Sequence, residues 1–334
     1  MKETHNDVGL FSVSHPANRS CSNRLTEANA IAILAAIQFV ESMAMKLGVI
    51  FPQTEIGSDP GALREFAQAA EDMGYNQILA YEHVLGADIT NRPDWKGMYT
   101  IDSAFHEPFV LFGYLAGVTK NITLATGIVI LPQRQTALVA KQAAEVDVLS
   151  NGRLRLGIGL GWNQLEYEAM GKDFHNRGQR ISEQVELLRA LWTQESVTFE
   201  GEWESVIGAG INPMPVQRPI PIWMGGNADA VLRRIATQSD GWLAPIKPDA
   251  DGRKRVEEMY ALAGEAGREP SAIGIEGRTD IKNATEDDWA TSVAAWHDLG
   301  ATHLDVSTMG AGFTTTEQHI EAIRKFKSVA DTLK

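Results

Sequence analysis

One stretch, Asn121 to Trp162, limits the folds open to this chain more than any other. It reads NITLATGIVILPQRQTALVAKQAAEVDVLSNGRLRLGIGLGW. An apolar, β-branched run from Ile122 to Leu131 stops at Pro132. A helical spacing follows in Ala137, Val139, Ala140, Ala143, Ala144, Val146 and Leu149, and ends at Ser150-Asn151-Gly152. A second apolar run, Leu154 to Leu160, leads into Gly159, Gly161 and Trp162. Strand, helix and strand in that order form a βαβ unit, and uniformly apolar strands mark a parallel sheet covered on both faces. Glycines and an aromatic at the strand end let a flat ligand approach the backbone.

The same alternation runs from Met45 to the C-terminus. Strands are expected at Lys46–Phe51, Gln77–Tyr81, Ile220–Met224, Gly241–Leu243, Ile273–Glu276 and Thr302–Val306, besides the two above. Helical patterns separate them, and Val197–Gln217 reads as an excursion with a short hairpin. Eight strand–helix pairs predict a (β/α)₈ TIM barrel with an insertion between strands 4 and 5; a doubly wound open sheet is the alternative. In a barrel, ligands bind at the C-terminal strand ends. That rule selects Gln53, Glu82, His83, Thr126 to Ile128, Gly159 to Asn163, Gly225-Gly226-Asn227, Glu276 and Thr308.

Residues 1–44 differ in character. Leu25–Ala44 has a helical pattern, but Glu27, Gln38 and Glu41 interrupt it, so it is no membrane span, and no signal cleavage site follows. The segment reads as an extension outside a barrel that occupies residues 45–334; a helix capping a dimer is the other reading. Roughly 290 residues suffice for one large α/β domain. Lys plus Arg number 30 against 43 Asp plus Glu, a net charge of −13, which argues against nucleic acid and anionic membrane surfaces as partners. The single cysteine, Cys21, allows no internal disulfide, and no zinc spacing exists, so a cytoplasmic setting is expected.

Gly157-Ile158-Gly159-Leu160-Gly161 fails as a dinucleotide fingerprint, because Trp162 occupies the sixth position. Gly225-Gly226, where strand five meets a helix, suits a phosphate at the helix N-terminus, or is simply a tight βα turn. Glu82-His83 ends strand two and can exchange protons near neutral pH. A metal site built on these with His106 and Glu107 lacks enough late-strand carboxylates, and none is expected. Gly127 inside a buried strand marks a bulge or a close ligand approach. Ser182, Glu183 and Glu186 read as helix-start and solvent-face residues.

KLGVIFPQ, AYEHV, the run from Thr126 to Gly171, and PIPIWMGG together resemble the luciferase-like monooxygenase superfamily, and most nearly its branch that uses the deazaflavin coenzyme F420. The resemblance covers Met45 to the C-terminus. It implies a cofactor flanked by Glu82-His83 (many relatives have Asp at the position of Glu82). It implies a strand-three bulge at Gly127-Ile128, often with a cis peptide, supporting the ring face. It further implies Gly159, Gly161 and Trp162 along the cofactor, Gly225-Gly226 at its phosphate, and an insertion over Asn176–Gln217.

The expected function is therefore hydride transfer between F420 and a small organic substrate. His83 is the expected proton donor with Glu82 as its partner, and Trp95 and His106 border the substrate. An FMN-dependent monooxygenase and a non-catalytic flavin-binding barrel are the alternatives. The resemblance also implies a homodimer, for which Phe109, Leu111, Phe112 and Leu115 offer an apolar face.

Overall fold

The apolar runs become the staves of a closed parallel barrel. The computed structural model describes residues 45–333. The expected extension, residues 1–44, lies outside them. The strands are β1 (Lys46–Ile50), β2 (Gln77–Ala80), β3 (Thr123–Thr126), its two-residue continuation β4 (Val129–Ile130), and β5 (Leu154–Gly159). A hairpin, β6 (Val197–Glu200) and β7 (Ser205–Ala209), stands apart as an antiparallel pair. The barrel resumes with β8 (Ile222–Gly225), β9 (Gly241–Leu243), β10 (Gly274–Asp280) and β11 (His303–Ser307). Neighbours pair in the order β3-β2-β1-β11-β10-β9-β8-β5, and β3 pairs back onto β5, so the ring closes. With β3 and β4 counted as one interrupted strand, eight strands surround the axis; the open-sheet alternative falls.

The helices bury one stripe each against this ring. Pro60–Asp72 is representative. Asp59 caps it by accepting from Gly61 N–H (3.2 Å), Pro60 needs no N–H partner at the first turn, and Leu63, Phe66, Ala67 and Ala70 recur at helical spacing on the buried face. Burying a side chain such as Phe66 stabilises the fold by roughly 1.5–3 kcal/mol. In Pro108–Val118 the same geometry turns Phe109, Leu111, Phe112 and Leu115 into the core. These four are thus unavailable to a second copy; Val110, Gly113, Tyr114 and Gly117 form the outer face instead. Glu183 also departs from expectation: it is no free solvent-face residue, but accepts the backbone N–H groups of Glu202 (2.9 Å), Trp203 (3.0 Å) and Glu204 (2.5 Å), which anchors the hairpin turn to the helix Arg177–Thr193.

The lumen is polar near the N-terminal strand ends. Gln77 Nε2 donates to Asp305 Oδ1 (2.7 Å) and Glu276 Oε2 (3.0 Å), and Arg155 pairs with Glu276. These residues come from β2, β5, β10 and β11, so they meet through the barrel interior. The Arg155 guanidinium lies 4.2 Å from the Trp223 ring centroid. Glu276 is therefore not a mouth residue as the sequence suggested. β10 runs four residues further, to Asp280, because Gly277-Arg278-Thr279-Asp280 still pairs with β11 despite its polarity. Burial, and then the neighbouring Glu276 carboxyl, hold the pKa of Asp305 well above the usual carboxylate range.

Two outcomes follow. A chain starting at Met45 should give a cooperative thermal transition and the same far-ultraviolet circular dichroism per barrel residue, since the barrel closes within Met45–Lys334. In the second, Asp305 holds a proton in the folded state that the unfolded chain has released, so its contribution to stability is lost as pH rises from the unfolded value through the raised folded one. Asp305→Asn mimics the protonated form. Urea unfolding should show its stability gaining on the wild type by up to about 1.4 kcal/mol per pH unit above about pH 4, then levelling. A pH-independent difference would contradict the assignment.

Candidate active site

The mouth is organised around the interruption between β3 and β4. Gly127 N–H still donates to Ala80 O (2.8 Å), as a regular strand would. The next peptide, Gly127–Ile128, is cis, and pairing resumes at Val129 and Ile130 against Ile158 and Gly159. The interruption turns the Ile128 side chain toward β5 and β8. A Cβ on Gly159 would stand 2.6 Å from Ile128 Cδ1, and one on Gly225 would stand 3.1 Å from Ile128 Cγ2. Glycine at both positions gives Ile128 its seat, and the half-buried Ile128 becomes an apolar floor at the mouth.

Glu82 secures the far side of this bulge. It is only 4% exposed; Oε2 accepts Ile130 N–H (2.5 Å) and Oε1 accepts Arg134, which also pairs with Glu107 (2.9 Å). Burial pushes its pKa up, and Arg134 and the Ile130 N–H oppose that shift. Both oxygens are occupied by groups on the strand-three side, so Glu82 is not the partner of His83 that the sequence suggested. Adjacent residues of an extended segment point to opposite sides.

His83 turns instead to Glu166, an acid that sequence reasoning had left without a role inside the run from Thr126 to Gly171. His83 Nδ1 lies 3.2 Å from Glu166 Oε1, and the two side chains are 9% and 0% exposed. The same oxygen accepts Val84 N–H (2.7 Å) and Leu85 N–H (3.1 Å), which ties the loop after β2 to the helix Gln164–Ala169. Asn163 caps that helix by accepting Leu165 N–H (3.1 Å), so its side chain is committed there.

Aromatic rings enclose the His83 ring: Tyr99 at 4.7 Å, Phe105 at 4.9 Å and Trp162 at 5.6 Å between centroids. Trp95 joins Trp162 at 5.8 Å and fixes its own orientation by donating Nε1–H to Tyr99 O (3.1 Å). A Cβ on Gly97 would collide with both indoles, at 2.3 and 2.6 Å. Trp162 keeps 47% of its surface exposed beside His83. Tyr99 and Phe105 escaped the sequence reading because a loop of turn residues carries no period that says which aromatics converge. Trp95 therefore belongs to this group. His106 does not: its Nε2 lies 3.2 Å from Gly57 O and its ring faces Phe51 at 6.3 Å.

Three other positions complete the mouth. Gly226 has φ +125°, a conformation side chains disfavour, and its carbonyl accepts Trp242 Nε1–H (2.8 Å), which fixes the turn ahead of the helix Asp229–Gln238. Arg255 donates to Asn227 O (2.6 Å) and Oδ1 (3.1 Å) in the same turn. Arg278 lies on β10 beyond the strand end expected at Glu276, 3.3 Å from the Tyr81 hydroxyl, whose pKa burial pushes up to about 12. Of the remaining candidates, Gln53 Nε2 donates to Tyr81 O (2.6 Å), and Thr308 Oγ1 lies 2.7 Å from His319 Nδ1. Among the described residues no helix is long and apolar enough to cross a membrane.

Comparison with known proteins agrees with this architecture. The family model described as luciferase-like monooxygenase matches residues 44–329. An uncharacterized protein of Mycobacterium tuberculosis is 35% identical over 237 residues, which span 68% of this chain and 82% of that protein. An F420-dependent glucose-6-phosphate dehydrogenase of Gordonia bronchialis is 30% identical over 217 residues, 63% of this chain and 60% of the relative. The structure of the coenzyme F420 dependent tetrahydromethanopterin reductase from Methanopyrus kandleri superposes with a TM-score of 0.68 at 16% identity, covering 86% of this chain and 99% of that one, a likeness of fold.

The floor makes its own prediction. Gly159→Ala sets a Cβ 2.6 Å from Ile128 Cδ1 and obliges that side chain to shift. Urea unfolding should show this overpacking costing about 1–3 kcal/mol of stability. Unchanged stability would show that Ile128 has room to move aside.

Proposed function

The chain belongs to the luciferase-like monooxygenase family, and from that premise we propose that it is an oxidoreductase that transfers a hydride between coenzyme F420 and a small organic substrate. The observation that carries the reading is the Ile128 floor. Two glycines and an interrupted strand leave a smooth apolar surface where a planar ring can lie, with His83 among the aromatics of the same mouth. The residues fit the group at its other end as well: the Gly225-Gly226 turn opens a helix without a side-chain cap, whose N-terminus favours a phosphate, and Arg255 pairs with Asp229 of its first turn.

When bound, F420 supplies or accepts a hydride, two electrons in one unit, and the protein contributes the rest. Ile128, Gly159 and Gly161 with Trp162 would hold the ring, and holding it against a substrate is what would set the distance and orientation of the transfer. Trp95, Tyr99, Phe105 and Trp162 exclude water around His83. In the reducing direction the substrate carbon gains the hydride, its double bond opens, and the electron pair lands on the attached oxygen, nitrogen or carbon. His83 gives that atom a proton, so the product gains two electrons and two hydrogens; in the oxidising direction His83 takes the proton. Glu82 acts at one remove by holding the bulge, and His106 stands apart from the transfer.

Titration with F420 and with FMN, followed by quenching of tryptophan fluorescence, tests the cofactor. Binding of F420 supports the proposal. Tight FMN binding without F420 overturns it in favour of the flavin monooxygenase reading, and binding of neither overturns both. For the proton, His83→Ala should slow single-turnover hydride transfer about 10²–10⁴-fold with saturating cofactor, with cofactor affinity little changed. Normal transfer with weakened binding would make His83 a binding residue.

A further inference from the structure

We propose that Glu166 is the positioning residue of this site: it holds His83 in the Nδ1–H tautomer and so makes Nε2 the atom that exchanges a proton with the substrate. The inference rests on the hydride-transfer reading above and adds the atom and the residue that selects it.

The contact pattern of one oxygen carries the argument. Glu166 Oε1 already accepts two backbone N–H groups, from Val84 at 2.7 Å and Leu85 at 3.1 Å. His83 Nδ1 is the third nitrogen at that oxygen, at 3.2 Å. A carboxylate oxygen offers only lone pairs, so the contact is attractive when Nδ1 carries hydrogen and repulsive when it presents its own lone pair. In neutral imidazole a hydrogen on Nδ1 leaves Nε2 as the acceptor. Nε2 makes no hydrogen bond among the described residues, whereas the ring as a whole sits within 5.6 Å of the Tyr99, Phe105 and Trp162 centroids. The nitrogen left without a protein partner is the one a substrate can use.

The same carboxylate couples this choice to the loop. Val84 and Leu85 open the segment that carries Trp95, Tyr99 and Phe105, and Glu166 grips them with the atom that orients the imidazole. The ring and its aromatic wall are therefore set by one buried acceptor. A carboxylate there also stabilises the imidazolium that forms whenever His83 holds the extra proton, as an orienting acid does in Ser-His-Asp sites.

The test uses the full chain labelled with ¹⁵N-histidine, with the His83 signals assigned by their loss in His83→Ala. The wild-type spectrum, recorded where the ring is neutral, should show Nδ1 protonated and Nε2 bare. Glu166→Ala, which removes the accepting oxygen, should shift the population toward Nε2–H. It should also slow single-turnover hydride transfer about tenfold to a thousandfold, with F420 affinity within about twofold of wild type. Glu166→Asp should recover part of the rate. A wild-type ring protonated on Nε2 overturns the inference without recourse to any Glu166 variant. A Glu166→Ala protein that transfers hydride at the wild-type rate overturns it too, and if His83→Ala is slow in the same assay the catalytic reading of His83 survives. If His83→Ala itself transfers normally, that reading falls, and the exchange role of Nε2 with it.

Discussion

A buried carboxylate that holds a backbone N–H and a guanidinium at once decides where the third barrel strand restarts. Glu82 takes Ile130 N–H and Arg134, and with them fixes the register in which Val129 and Ile130 pair with Ile158 and Gly159. The position of Ile128 follows from that register, and the need for glycine at 159 and 225 follows from Ile128. Breaking a pair of this kind leaves an uncompensated charge in the interior and is typically worth about 3–5 kcal/mol. The floor of the mouth is thus set by electrostatics at its edge, not by the apolar contact alone.

Glutamates do the same work elsewhere. Glu71 accepts the N–H groups of Lys120, Asn121 and Ile122 ahead of β3; burial opposes ionisation, and these N–H bonds outweigh it to lower its pKa. Glu166 gathers Val84 and Leu85, and Glu183 gathers Glu202, Trp203 and Glu204. Each ties a loop whose N–H groups have no ladder partner to a neighbouring element. Hydrogen bonds to a charged acceptor contribute about 1.5–3 kcal/mol each, roughly twice a neutral one. The acidic surplus of the chain is in part this anchoring, and the anchors determine where these loops lie.

The two ends of the lumen divide the labour. Near the N-terminal strand ends Gln77, Arg155, Glu276 and Asp305 bond one another. Arg155 Nη1 has no hydrogen-bond partner among the described residues, and a cavity of about 630 Å³ opens beside Gln77, Arg155, Trp223 and His303. At the C-terminal ends, glycine replaces side chain at 127, 159 and 225, and the polar groups come from loops, from the helix Gln164–Ala169 and, with Arg278, from β10. Charged and amide side chains meet across the axis at the N-terminal end, and the strands lose their side chains at the C-terminal face.

Strand and helix existence, their order, and hence the closed barrel were legible in the sequence, because apolar periods of 2 and 3.6 are local properties. So were the strand-three interruption, signalled by Gly127 within a β-branched run, and the strand ends that carry His83, Gly159 and Gly225. Strand seven was legible only in part, since its last residues are polar and pair by backbone alone. The partner of His83 was not legible. Glu82 is next in the chain but faces the other way, whereas Glu166 is 83 residues distant and is delivered by the βα connection after β5. Tyr99 and Phe105 were hidden for the same reason, and Phe109, Leu111, Phe112 and Leu115 read equally well as an outer or an inner face until the helix was docked. Local pattern determines which elements form; which side chains meet across the mouth depends on long-range closure of the ring, and no spacing along the chain encodes that distance.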